Sequence, residues 1–226
     1  EGRPGPVWID IPIDLQGMTI DAGDLKPFRL PEAVSQLTGA SRCVPDVLAM
    51  LREAERPVLL AGSGIHIAHA QQDLLALIDR LRIPVLTSRR GIDLVPDDHP
   101  LCFGRPGIYG HRRSNFIIQN ADLVLSVGCR LSIPLMGRNI RAFARSAKKI
   151  VVDVDPEELR KSTMRADLSV RMDAKAFLVE MLRQATTLSG DRTAWVNRCR
   201  AWSQRFPPMG WEGAGPAPRL LPHLVV

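Results

Sequence analysis

Apolar residues along this chain switch repeatedly between a helical spacing and short unbroken runs. Val44, Val47, Leu48 and Leu51 recur at i, i+3, i+4 and i+7 and make one apolar helix face. Pro57-Val-Leu-Leu-Ala61 follows as a continuous apolar run, the mark of a strand buried on both sides. Leu74, Leu77, Ile78 and Leu81 repeat the helical face, and Ile83–Thr87 reads as the next strand. A helix over His111–Asn120 comes next, then a strand over Asp122–Val127 and another over Lys149–Val154. Phe177, Leu178, Met181 and Leu182 define a further amphipathic helix, with Asp173 as its N-cap. Strands that are apolar throughout and separated by helices predict an α/β fold. Its sheet is doubly wound, mostly parallel and Rossmann-like, covered on both faces.

The ends follow a different pattern. Val7–Ile11, between proline brakes, reads as a short buried strand, although the next predicted strand begins only at Pro57. A strand needs partners, so this one is expected to close the sheet of a preceding domain, which makes the chain a middle section of a longer enzyme. Residues 13–40 are rich in Pro, Gly, Asp and Thr and read as a linker. Trp195, Cys199, Trp202 and Phe206 form an aromatic stripe opposite Arg192, Arg198, Arg200 and Arg205. No apolar sequence follows to cover the stripe, so docking onto another domain is placed ahead of a role in the local core.

Composition narrows the function. Hydrophobic residues make up 45% of 226, enough for one packed α/β domain with flanking segments. The formal charge of +6 is modest, and the arginine clusters at 138–145 and 192–205 lack the interleaved aromatic platforms that single-stranded nucleic acid requires. A solvated surface is the first reading of these clusters and an anionic small ligand the second. Cys43, Cys102, Cys129 and Cys199 have neither zinc nor disulfide-framework spacing, which predicts reduced thiols and a cytoplasmic protein. No apolar run reaches membrane-spanning length.

Candidate chemistry gathers at predicted strand ends. Ala61-Gly62-Ser63-Gly64-Ile65 stands between a strand and a helix, where doubly wound folds bring backbone N–H groups to a phosphate. Only two glycines are present and Thr87, not an acid, ends the following strand, so a plain tight turn remains open. Val127-Gly128-Cys129-Arg130 ends another strand; Arg130 is either a bidentate phosphate ligand or a surface arginine. Asp153 and Asp155 end a third, with Asp155 as N-cap and Asp153 where such folds bind a ribose hydroxyl. His66 and His69 lack a third metal ligand and read as a polar face. No G-x-S-x-G, H-E-x-x-H or G-x-x-x-x-G-K-[ST] motif occurs. The chain reads as one that binds rather than reacts.

Six segments in order carry a family resemblance: Gly2–Pro12, Arg56–Ile65, Ile83–Gly91, Asp97–Gly110, Ala121–Arg130 and Lys149–Lys161. Together, to about Pro208, they resemble the middle of a thiamine-diphosphate-dependent enzyme of the acetolactate synthase family. The resemblance implies that residues 1–12 close a pyrimidine-binding domain absent here and that 13–40 link. Residues 41–186 would form a six-stranded central domain of FAD-binding-like fold, and 187–208 a helix leading to a diphosphate-binding domain. Residues 209–226 would be an irregular tail. The family's catalytic glutamate precedes this segment and its magnesium motif follows it; Gly190-Asp191-Arg192 is no substitute. Thiamine diphosphate and Mg2+ thus belong to the parent enzyme, and no catalytic or metal-binding residue is assigned to this chain.

The implied cofactor contacts in the central domain are Arg3, Gly62, Gly64, Thr87, Ser88, Gly107, Ile108, Tyr109, Gly128, Arg130, Asp153, Val154, Asp173 and Ala174. They would take FAD or ADP, or stand empty. The sequence departs from the synthases at Arg89-Arg90, at Tyr109 in place of a usual histidine, and at Leu131-Ser-Ile-Pro134 in place of a Phe-Asp-Asp-Arg run. The implied parent reaction is decarboxylation of a 2-keto acid and carboligation, in a homo-oligomer, with no nucleic acid or membrane partner. Isolated, the chain is expected to be inactive. A stand-alone, non-catalytic module for FAD, ADP or NAD is the alternative; a sirtuin-type deacylase is set aside because the cysteine spacing is wrong.

Overall fold

The computed structural model describes residues 5–27, 40–185 and 191–207, and the chain divides into two units at residue 36. In the first unit, residues 5–12 carry no regular secondary structure. The strand expected over Val7–Ile11 is not formed: no described residue pairs with it, and Val7 and Trp8 are 85% and 92% exposed. A lone extended segment has no ladder to hold it. A single helical turn, α1 (Ile13–Gln16), follows, and then a 3-10 turn at Ala22–Asp24 in which the Asp21 carboxylate accepts the Gly23 amide at 2.8 Å. The expected linker thus holds short local structure; residues 28–39 lie outside the described residues.

The second unit alternates helices and strands. In chain order these are α2 (Ala40–Glu53), β1 (Pro57–Ala61), α3 (Gly64–Ile67), α4 (Gln71–Leu81), β2 (Val85–Thr87), α5 (Arg112–Asn120), β3 (Leu123–Val127) and α6 (Ile133–Met136). They continue with β4 (Lys148–Asp153), α7 (Pro156–Leu159), β5 (Leu168–Arg171), α8 (Ala174–Gln184) and α9 (Thr193–Arg205). All pairings are parallel, in the order β2-β1-β3-β4-β5, with Leu59 between Val85 and Leu125. Every residue of β1, β2 and β3 is buried, as the unbroken apolar runs require.

Five strands stand where six are expected. Outside β2 a single parallel bridge joins Val85 to Cys102, and Phe103 N and Val85 N exchange bonds with Val85 O and Leu101 O at 3.0 and 2.8 Å. Pro100 before this bridge and Gly104 after it, at φ +82°, keep it from lengthening into a strand. At the opposite edge β5 has no apolar run in the sequence because only Val170 of its four residues is buried.

Helix α8 packs against α2 and α4, and α5 packs against α9. Leu74, Leu77 and Ile78 of α4 and Phe177, Leu178 and Met181 of α8 are fully buried, so both predicted faces are core. Asp173 caps α8 by accepting the Lys175 and Ala176 amides at 2.9 and 3.1 Å. The Trp195 stripe also turns inward, which corrects the docking expectation. Trp195 and Cys199 are buried, and the Trp195 indole donates to Pro57 O at 3.1 Å. The buried Arg192 guanidinium donates to Leu51 O at 2.6 Å, satisfying a carbonyl that the end of α2 leaves open.

Candidate functional site

Parallel strands deliver all their carboxyl ends to one edge, and a ligand crevice opens where the strand order reverses. Here that point lies between β1 and β3. The turns leaving these two strands are packed backbone on backbone. Gly62 N donates to Val127 O, Gly64 N to Gly128 O and Gly128 N to Val152 O, each at 2.9 Å. A Cβ on Gly62 would sit 2.2 Å from Gly128 O, and one on Gly64 would sit 2.7 Å from Gly128 Cα. Gly128 itself has φ +58°, in the left-handed region. These three glycines therefore close the floor of the crevice, and their amides are already bonded to carbonyls of the fold.

A loop crosses above that floor. Thr87 N, at the end of β2, donates to Gly104 O at 3.0 Å, and Ile108 N donates to Pro134 O, beyond β3, at 2.9 Å. Strand β1 lies between β2 and β3, so residues 104–108 run from the end of β2 to the segment beyond β3. The loop is fixed by Asn115, whose Oδ1 accepts Gly107 N at 2.7 Å while its Nδ2 donates to Gly107 O at 3.1 Å. Next in the loop, Tyr109 is 72% exposed, and the Arg89 guanidinium stands 5.8 Å from its ring centroid. Ser63 and Ser88 are half-buried beside the floor, and Ser88 N donates to Ala61 O at 2.8 Å.

On the other side of β3, Arg130 is engaged by a buried carboxylate. Glu158 on α7 has a side chain 7% exposed; its Oε1 meets Arg130 Nε at 2.6 Å, and its Oε2 pairs with Lys161 Nζ. Lys161 Nζ also donates to Arg130 O at 2.7 Å. This clamp borders a groove of about 400 Å³ lined by Arg130, Leu131, Pro134, Met136, Ile140 and Lys161, among others. Asp155 caps α7 by accepting Glu157 N at 2.9 Å. Asp153 is buried, and its Oδ1 accepts Asp155 N at 3.0 Å, so this carboxylate shapes the turn after β4. Val154 is half-buried in the same turn.

The structure thus gathers Gly62, Gly64, Thr87, Ser88, Gly107, Ile108, Tyr109, Gly128, Arg130, Asp153 and Val154 along one edge. Asp173 and Ala174 follow β5 at the end of the sheet, where they start α8. Arg3 lies outside the described residues. Asn115, Glu158 and Lys161 shape the edge without being among the expected contacts, and Pro134 does so from the departing Leu131–Pro134 run. Only the i, i+3 spacing of Glu158 and Lys161 was a readable signal.

The groups that could act as bases or nucleophiles have other tasks. His66 Nε2 bonds Asp93 Oδ1 at 2.8 Å and holds that carboxyl below its usual range. His111 Nδ1 accepts Arg105 N at 3.3 Å. Burial pushes the Cys129 thiol up to about 11 and the Cys199 thiol further, so both stay protonated. Among the described residues no three His, Cys, Asp or Glu side chains converge to hold a metal, and no helix is long and apolar enough to cross a membrane. What the edge presents is a rim, Ser63, Ser88, Arg89, Tyr109 and Arg130, with chemistry that fits an anionic nucleotide laid over a closed floor.

Residues 44–181 match the family "Thiamine pyrophosphate enzyme, central domain". A probable acetolactate synthase large subunit of Methanocaldococcus jannaschii is 36% identical over 215 residues, covering 92% of this chain and 36% of that protein. The acetolactate synthase large subunit of Corynebacterium glutamicum is 31% identical over 228 residues, covering 100% and 36%. The isozyme 2 large subunit of Escherichia coli is 32% identical over 177 residues, covering 78% and 31%. The chain spans about a third of the length of these curated relatives.

Proposed function

Because the chain belongs to the thiamine pyrophosphate enzymes, as the central domain of an acetolactate synthase-like member, we propose that it is the non-catalytic middle of a longer enzyme. That enzyme decarboxylates a 2-keto acid and joins the remaining carbons to an acceptor carbonyl. Thiamine pyrophosphate, with magnesium, supplies the electron sink for this chemistry. The residues that hold both lie in the pyrimidine-binding and diphosphate-binding domains, before residue 13 and after residue 208. Residues 41–186 stand between them, joined by 13–40 on one side and 187–208 on the other. The observation that carries this reading is the strand-end edge itself. Its glycines and Asp153 hold the fold together, and its thiol at Cys129 is kept neutral.

In the same reading the rim holds an adenine nucleotide, ADP or the ADP half of FAD, in a structural role. Arg89 and Arg130 offer charge to the phosphates, and Tyr109, 72% exposed, offers the ring face away from Arg89. The complete enzyme is a homo-oligomer, and the four free thiols of this chain suit the reducing cytoplasm. Pyruvate turnover is the direct test. With thiamine pyrophosphate and Mg2+, the complete three-domain enzyme forms acetolactate and the 226-residue chain alone forms none. Acetolactate from the chain alone would overturn the proposal.

A further inference from the structure

Helices α5 and α9, RRSNFIIQN and TAWVNRCRAWSQR, contain no acidic residue between them. Arg112, Arg198, Arg200 and Arg205 are exposed and Arg113 is half-buried; among the described residues none of the five forms an ion pair within 4.0 Å, and Arg113 feels the Asp97 carboxylate only at longer range. Three of these guanidinium groups stand over aromatic rings. Arg112 lies 4.6 Å from the Phe206 centroid and 5.7 Å from that of Phe116, Arg205 is 5.4 Å from Phe206, and Arg198 is 5.7 Å from Trp202. The rings stack in turn, Phe116 on Trp202 at 5.9 Å and on Phe206 at 5.2 Å. Beside this array runs a groove of about 300 Å³ whose lining includes Arg113, Arg200, Ser203, Gln204 and, as its one acid, Asp97. Arg113 uses Nε on Phe103 O at 3.2 Å, which leaves the outer edge of its fork for another acceptor.

From this array we infer that the outer face of α5 and α9 is a docking surface for an acidic protein segment, with glutamate or aspartate carboxylates entering the Arg113–Arg200 groove. Arg112, Arg198 and Arg205 stand over rings, while Arg113 and Arg200, which face the groove, are anchored on Phe103 O and on Asn197 Oδ1 at 3.2 Å each; guanidinium groups positioned in this way lose little entropy on binding a carboxylate. A single-stranded nucleic acid would need open ring faces for its bases, and here those faces are covered by arginines or by other rings. Charge is therefore the feature left for a partner to read.

Fluorescence anisotropy of a labelled glutamate-rich peptide, titrated with the full chain at low salt, tests the surface. Arg112→Glu with Arg200→Glu is expected to weaken binding at least about tenfold, and Arg198→Gln with Arg205→Gln about threefold, with folding checked by circular dichroism. Arg138→Glu with Arg141→Glu makes the same charge change at exposed positions outside this face and is expected to alter binding less than about twofold. Equal losses in the two charge-reversed proteins would reduce the effect to net charge and overturn the proposal. So would the absence of peptide binding, or tighter binding of a single- or double-stranded oligonucleotide of equal charge.

Discussion

The floor and the rim of the strand-end edge are built from neighbouring residues by opposite rules. Gly62, Gly64 and Gly128 are positions where almost no other residue fits, because each faces backbone at less than 3 Å from where a Cβ would stand. Arg89 and Tyr109 are exposed, with the Arg89 guanidinium 5.8 Å from the Tyr109 ring centroid. A glycine-rich turn after the first strand is usually read as a phosphate cradle. Here the same glycines let two turns cross, and any anion must be recognised by side chains further out. A glycine motif therefore marks close approach of something, and only the fold says whether that is a ligand or another strand.

Substitution of the floor should give the largest effect. Gly62→Ala forces a methyl group against the Gly128 carbonyl and is expected to cost about 3 kcal/mol in chemical denaturation. Gly137→Ala, at φ +84° and ψ 173° with nothing within 4 Å, carries only the backbone strain, about 1–2 kcal/mol. Equal costs at the two sites would break the packing account.

Beneath the floor, Cys129 gives a pH signature. Its thiol is raised from 9.0 to about 11 by burial, so the native state holds that proton while the unfolded chain has released it. Stability is then intact below pH 9 and falls as pH rises toward 11, by on the order of 2 kcal/mol. Denaturation midpoints across that range check the slope; the buried Cys199 thiol is raised further and shares it, so Cys129→Ala should remove about half.

Asp173→Ala removes two accepted amide bonds at the start of α8 and should cost about 1 kcal/mol, with Asp173→Ser recovering most of it. On the rim the order reverses. Arg89→Ala and Tyr109→Ala should move stability by less than about 0.5 kcal/mol while weakening ADP binding about tenfold by calorimetry.

How much of this was legible follows from what each feature depends on. Strands β1 to β4 were readable because burial on both sides forces an apolar run, shortened to Ile150–Val152 in β4, whereas β5 buries only Val170 and leaves no such trace. The caps at Asp155 and Asp173 are local and could be read directly. The Trp195 stripe was visible as a face, but the surface that covers it, Phe116 and Pro57 O, comes from distant parts of the chain. Arg130 posed the same difficulty, since its carboxylate partner Glu158 lies one strand away. Val7–Ile11 has a strand's composition, but composition alone cannot supply a ladder.

The central claim, a closed glycine floor under a nucleotide-binding rim, is tested most directly by amide chemical shifts of the 15N-labelled chain during titration with ADP. The account predicts the largest changes at Ser88, Arg89, Tyr109 and Arg130, with Gly62, Gly64 and Gly128 nearly unmoved. Largest changes at the three glycines would contradict it.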